Sequence, residues 1–211
     1  MNFTYTTAIK CRVLKKTIMK SLITTVFFVL LITVVATAQH ANIGIKGGLN
    51  AYTIKNDNND NINPFLGFHF GLVGHIHMSD QFAVQPEVVY SMQGSTYNED
   101  GNEVDLNLNY VNIPLLFQYM FDNGFRLQAG PQLGILANAK MRIGNLEINI
   151  EDAYEPIDLG ISFGLSYVNP NSNFGYDLRY NHGLSDISTS NNSEIFNRGF
   201  QASVFYLFNH K

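Results

Sequence analysis

Six charged side chains fall where a period-two pattern places polar residues: Lys46, Glu87, Arg126, Asp158, Asp177 and Arg179. Three are cations and three are anions. Inside a narrow closed sheet such charges must pair, because a lone desolvated ion costs several kcal/mol. Glu87 and Arg179 are expected on opposite walls, meeting across the bore with Lys46, Arg126 and Asp177 nearby. Such a cluster makes either a structural plug or a gated path for protons or ions. An eight-stranded bore is filled by side chains, which favours the plug.

Other residue types with chemical potential are sparser. His75 and His77 lie two apart on one strand face, with His69 further along, and could share Zn²⁺ or Cu²⁺. No third ligand follows from the spacing, so hydrogen bonding is the expectation and no metal site is assigned. His182 and Ser185 could be cast as a rim catalytic pair, but no oriented acid completes a triad. Asp57, Asp60, Glu99, Asp100, Glu103, Glu147, Glu151, Asp152 and Glu155 crowd the polar connections and could bridge divalent cations to anionic headgroups. Their spacing matches no calcium loop. Neither a phosphate-binding glycine loop nor a nucleophile elbow is present, so no cofactor and no catalytic residue is expected.

The elements that must position these residues are strands. From Leu66 to Met78 every even position is apolar or glycine, while the odd positions include His69, His75 and His77. A period of two means one greasy face and one largely polar face. The pattern recurs over 41–54, 64–79, 82–96, 104–121, 124–138, 156–169, 173–184 and 198–209. The fourth strand breaks it: Leu106, Leu108 and Tyr110 are even, while Val111, Ile113, Leu115 and Phe117 are odd. A bulge near Tyr110 would restore the facing, or the strand starts later.

A leader precedes these strands. Leu22 to Val35 is free of charge, follows Lys15, Lys16 and Lys20, and ends in Ala36-Thr37-Ala38. That is the form of a signal peptide cut before Gln39, so residues 1–38 are expected to be leader and 39–211 one domain. Eight of the thirteen Lys and Arg and all seventeen Asp and Glu lie beyond the cut, giving the mature chain a formal charge of −9. Such acidity does not suggest nucleic-acid binding. The one cysteine, Cys11, leaves with the leader, so the mature chain has no thiol chemistry.

Alternating strands in an exported chain suit either a soluble sandwich or an outer-membrane barrel. Three connections are short turns, at Ser79-Asp80, Asp122-Asn123-Gly124 and residues 169–173; four others, 55–63, 97–103, 139–155 and 185–197, are long and polar. Phe82, Phe121, Phe125, Tyr167, Phe174 and Phe208 sit beside the short turns or the C-terminus, as a membrane interface would select. The polar faces carry Gly, Ser, Asn and Gln rather than many charges. These features favour an all-β, eight-stranded antiparallel up-and-down transmembrane barrel.

Five pieces in chain order sharpen this reading: Gly44–Asn50, Gln85–Ser91, Ile113–Leu116, Ala129–Gly134 and Leu178–Leu184. Together they resemble the porin-like outer-membrane β-barrel family of Gram-negative bacteria, a set of small eight-stranded barrels. The resemblance spans the mature chain. It implies residence in the cell outer membrane, among outer-membrane lipids and lipopolysaccharide. The run Phe200–Phe208 looks like the C-terminal signal read by the barrel-insertion machinery, although the chain continues through Asn209-His210-Lys211. The expected function is a non-enzymatic envelope protein with a structural or surface-interaction role. A narrow channel for ions or small solutes is the alternative, and a rim-active lipid-modifying enzyme the third.

Overall fold

The computed structural model describes Thr25 and residues 41–56, 62–99, 102–169, 172–190 and 194–208. The expected cleavage site lies outside the described residues, as does the leader apart from Thr25. Residues 40–211 form one compact unit. Its strands are β1 (Ala41–Asn56), β2 (Ile62–His77), β3 (Phe82–Glu99), β4 (Asn102–Met120), β5 (Phe125–Ile143), β6 (Leu146–Asn149), β7 (Ile157–Val168), β8 (Phe174–Gly183) and β9 (Ile195–Leu207). Eight close a ring in which every pairing is antiparallel, with β1 against β9 and β4 against β5; β6 only extends a hairpin from β5.

Alternation turns greasy side chains outward. Ile45, Leu49, Leu66, Phe70, Leu72, Leu127, Leu165, Leu178 and Phe200 are exposed, Leu66 to 78%. Exposure of this extent, all round a closed sheet, is intolerable in water and favourable in hydrocarbon. Among the described residues no helix is long and apolar enough to cross a membrane; this barrel crosses with strands. Aromatic rings collect at the short-turn end in contacting sets: Phe82 with Tyr119 and Phe121, Phe125 with Tyr167, and Phe174 with Tyr206 and Phe208. Tyr119 and Tyr206 complete a girdle of which the other six members were expected from the sequence.

The short turns have specific chemistry. Gly124 sits at φ 89°, and a Cβ there would lie 2.5 Å from the Val168 carbonyl oxygen, so the Asp122–Gly124 turn requires glycine. Asn173 takes φ 58° before β8, a conformation that asparagine tolerates.

Two expectations need correction. β4 has no bulge: its register against β3 runs unbroken from Phe82↔Tyr119 to Glu99↔Asn102, and its even residues face inward throughout. Leu108 and Tyr110 are wholly buried, in an apolar cluster with Ile54, Ala139 and Ile187. The slip lies on β5 instead. Tyr110 pairs with Leu136 and Asn109 with Asn138, leaving Ala137 as the extra residue. Below Ala137 the inward positions are even; above it Ala139 points in and Asn138 lies beside Asn109 on the outer wall. The second correction concerns the connections. Residues 97–103 are mostly strand, with Glu99 paired to Asn102, and 139–155 holds the end of β5, all of β6 and a 3-10 turn at Glu151–Ala153.

Candidate functional site

The lumen is a stack of layers. At the short-turn end Val73, Val168, Phe205 and Leu207 form an apolar cluster. At the loop end stands the cluster of Ile54, Leu108, Tyr110, Ala139 and Ile187, with Ile150, Tyr154 and Ile195 packed against it. Between these two seals most inward positions are polar, with Val89 and Leu116 as apolar exceptions.

Four of the six predicted charges meet in that interval. The Arg179 guanidinium donates two bonds to the Glu87 carboxylate, at 3.0 and 2.9 Å, and one to Asp177 at 3.1 Å. The Lys46 ammonium donates to Glu87 and to Asp177, both at 3.2 Å. Alternation places Lys46 on β1, Glu87 on β3, and Asp177 and Arg179 two apart on β8, so three walls supply one cluster. All four are at most 4% exposed. With two charges of each sign the cluster is neutral, as a buried ionic group must be to escape a large desolvation penalty. Glutamines extend it: Gln85 donates to Glu87 at 2.7 Å, Gln128 donates to Asp177, and Gln118 donates to both Gln85 and Gln128.

The other two predicted charges lie elsewhere. The Arg126 guanidinium lies 3.3 and 3.4 Å from the ring nitrogens of His75, and His77 meets His75 edge-on. Among the described residues no three His, Cys, Asp or Glu side chains are grouped to hold a metal. Asp158 accepts from Ser185 at 3.2 Å and from Asn197 at 3.4 Å, nearer the loop end.

Amides and hydroxyls that sequence reasoning did not single out join these layers. His69 donates from Nδ1 to Asn50 Oδ1 at 2.6 Å and accepts at Nε2 from Ser203 at 2.8 Å. The tautomer follows from the Asn50 amide, whose nitrogen is committed to Ser91 and to the Met92 carbonyl. Gln201 also donates to Asn50, and Asn197 donates to Gln93. A second chain runs from Ser162 to Asn181 and on to Tyr52, each step 2.6 Å. The signal that could have found these residues was the alternation itself, since all occupy the same inward positions as the charges.

The rim pair does not assemble. His182 bonds to the Tyr180 hydroxyl at 3.3 Å, on the aromatic side with Phe200. Ser185 is engaged by Asp158 and by the Leu159 amide. Of the loop carboxylates, Glu147 is held by Lys140 and Arg142, and Glu151 accepts from Asn149 at 3.2 Å. Asp57, Asp60 and Asp100 lie outside the described residues. The loops are laced over the upper seal, with the Glu155 amide donating to the Ile187 carbonyl at 2.8 Å and Thr189 to Ala153 at 3.2 Å.

A closed ring of this size, apolar without and polar within, is the architecture of a bacterial outer-membrane protein. The family described as outer membrane protein beta-barrel domain matches residues 37–189, well over half of the chain. The chain belongs to this family. Such membership places the barrel in the outer membrane, in contact with its lipids. Among solved structures it is similar to Neisserial surface protein A, with a TM-score of 0.53 and 15% identity over 81% of this chain and 100% of that one. It is also similar to Ail, the attachment invasion locus protein of Yersinia pestis, with a TM-score of 0.47 and 16% identity over 80% and 99% of the two chains. A de novo designed transmembrane β-barrel follows at a TM-score of 0.42 and 10% identity, over 79% and 95%. No curated protein sequence matches the chain.

Proposed function

We propose that this outer-membrane barrel is a sealed, non-enzymatic scaffold that serves envelope structure and surface contact through its loops. The observation that carries the reading is the pair of apolar clusters closing a neutral, mutually bonded ionic layer at both ends. A conducting path needs continuous water, and each of the three layers opposes one. Export rests on the N-terminal leader with its cut before Gln39, and insertion on the Phe200–Phe208 strand. The distinct positions of His182 and Ser185 support the absence of a rim catalytic pair.

The test is the refolded mature barrel in a planar lipid bilayer. No discrete conductance steps are expected over the range in which a porin gives them. Reproducible steps from the wild-type protein would establish the narrow-channel alternative in its place. Incubation with labelled phospholipid and lipopolysaccharide, scored for released acyl chains, checks the enzymatic alternative, and no turnover is expected.

A further inference from the structure

A groove of about 400 Å³ lies on the outer wall where β3, β4, β5 and β6 meet. Its apolar floor includes Tyr90 and Met92, and Tyr90 contacts Phe70 on the lipid-facing surface. Above that floor the lining changes to Asn107, Asn109 and Asn138, with Lys140 and Arg142 balanced by Asp105 and Glu147. The bulge at Ala137 is what builds it. Without the extra residue, Asn138, Lys140 and Arg142 would keep the inward parity of Arg126 and Gln128; with it they turn outward.

Height fixes what the groove faces. From Tyr119 in the girdle to Asn109 is ten residues along β4. At about 3.4 Å per residue and a tilt of about 40° this is roughly 26 Å along the membrane normal. The apolar band of such barrels is about 25 Å tall. Asn109 therefore stands at the upper edge of the hydrocarbon, where outer-leaflet headgroups begin.

Asn109 and Asn138, register partners across β4 and β5, carry a second signal. The carbonyl oxygen of each is withdrawn from solvent and has no hydrogen-bond partner among the described residues. Such unsatisfied acceptors are uncommon in native structures and call for a donor. Both residues line the groove. Beside them Lys140 and Arg142 both bond Glu147, while Asp105, opposite Arg142 in the register, accepts from Thr96; the ammonium and guanidinium keep further N–H donors for an anion.

We propose that this groove binds the phosphorylated saccharide headgroup of lipopolysaccharide from the outer leaflet. Sugar hydroxyls donate to the Asn109 and Asn138 carbonyls, Lys140 and Arg142 take the phosphate, and an acyl chain lies along Tyr90 and Met92. The inference rests on outer-membrane placement but not on a sealed lumen, so its failure leaves the conductance result untouched.

The test uses the full mature barrel refolded into phosphatidylcholine vesicles with and without lipopolysaccharide, read as the midpoint of its heat-modifiable gel mobility. Lipopolysaccharide is expected to raise the wild-type midpoint. N109A/N138A and K140Q/R142Q are each expected to lose most of that rise while keeping the wild-type midpoint in phosphatidylcholine alone. Dephosphorylated lipopolysaccharide should act on the wild type as the intact lipid acts on K140Q/R142Q. Full retention of the rise in either variant overturns the site, as does an equal wild-type rise with phosphatidylglycerol, which carries charge without sugar. If N109A/N138A does not fold, the exposed K140Q/R142Q variant decides the matter alone.

Discussion

Replacing Glu87 with alanine is the sharpest perturbation of the ionic layer. Glu87 accepts two bonds from Arg179, one from Gln85 and at least one from Lys46. Its removal leaves two cations sharing Asp177, so one positive charge is uncompensated in a space closed to water. Breaking a buried pair from one side costs about 3–5 kcal/mol, most of it the penalty on the stranded partner. The double variant E87A/R179M restores balance, because Lys46 and Asp177 remain paired at 3.2 Å. It is expected to recover more than half of the loss despite lacking more native contacts. The assay is guanidinium unfolding in lipid vesicles, followed by heat-modifiable mobility, for wild type, E87A, R179M and the double variant, with bilayer conductance measured on each. A cost below about 1 kcal/mol for E87A, or a double variant less stable than both singles, would refute the charge-balance reasoning. A stable E87A barrel that conducts would refute the plug.

Three further outcomes are expected. Gly175 lies under the Phe205 ring, where a Cβ would come within 2.1 Å of ring carbon; Gly175→Ala should cost about 1–3 kcal/mol by overpacking, measured by the same unfolding assay. Burial pushes the Tyr154 phenol up to about 12. A raised folded value means that its contribution to stability holds below the unfolded value and is lost as pH rises through the folded one. Alkaline absorbance titration of Tyr154→Phe, compared with wild type, should lack one late-titrating phenol; loss of one that titrates near the ordinary value of about 10 would contradict the packing of Tyr154 against the upper seal. Hydrogen bonds from Lys140 and Arg142 hold the Glu147 carboxyl below the usual glutamate range. The carboxylate therefore anchors the β5–β6 hairpin above the ordinary value and releases it only as pH falls through the depressed one. Amide protection factors in that hairpin, corrected for intrinsic exchange, should stay constant above the ordinary range and fall only in stronger acid; a fall at the ordinary glutamate value would count against the pairing.

The eight wall strands were legible because each shows one face to lipid and one to a crowded bore, so hydrophobicity and polarity alternate without compromise. Leu106, Leu108 and Tyr110 misled for a physical reason. They are apolar yet point inward, building the upper seal rather than meeting lipid, and alternation alone cannot say which side an apolar residue faces. The end of β5 was missed because Ala137 shifts the parity, so one strand reads as a strand followed by a polar loop. The Glu87–Arg179 contact was legible from strand order. The separation of Arg126 and Asp158 from it was not, since strand tilt sets the height of each residue along the bore. The amide network was the least legible, because Asn, Gln and Ser at inward positions look like spacers until their partners are known.

The seam between β1 and β9, running from Gly44↔Leu207 to Asn56↔Ile195, joins the two extremities of the barrel sequence. Before it zips, both outer strands present a row of bare peptide groups that hydrocarbon cannot solvate. A polypeptide lacking its last strand therefore has no half-inserted form in which to wait. Entry into the bilayer must follow completion of synthesis, and whatever escorts the nascent protein must shield those two borders until they find each other.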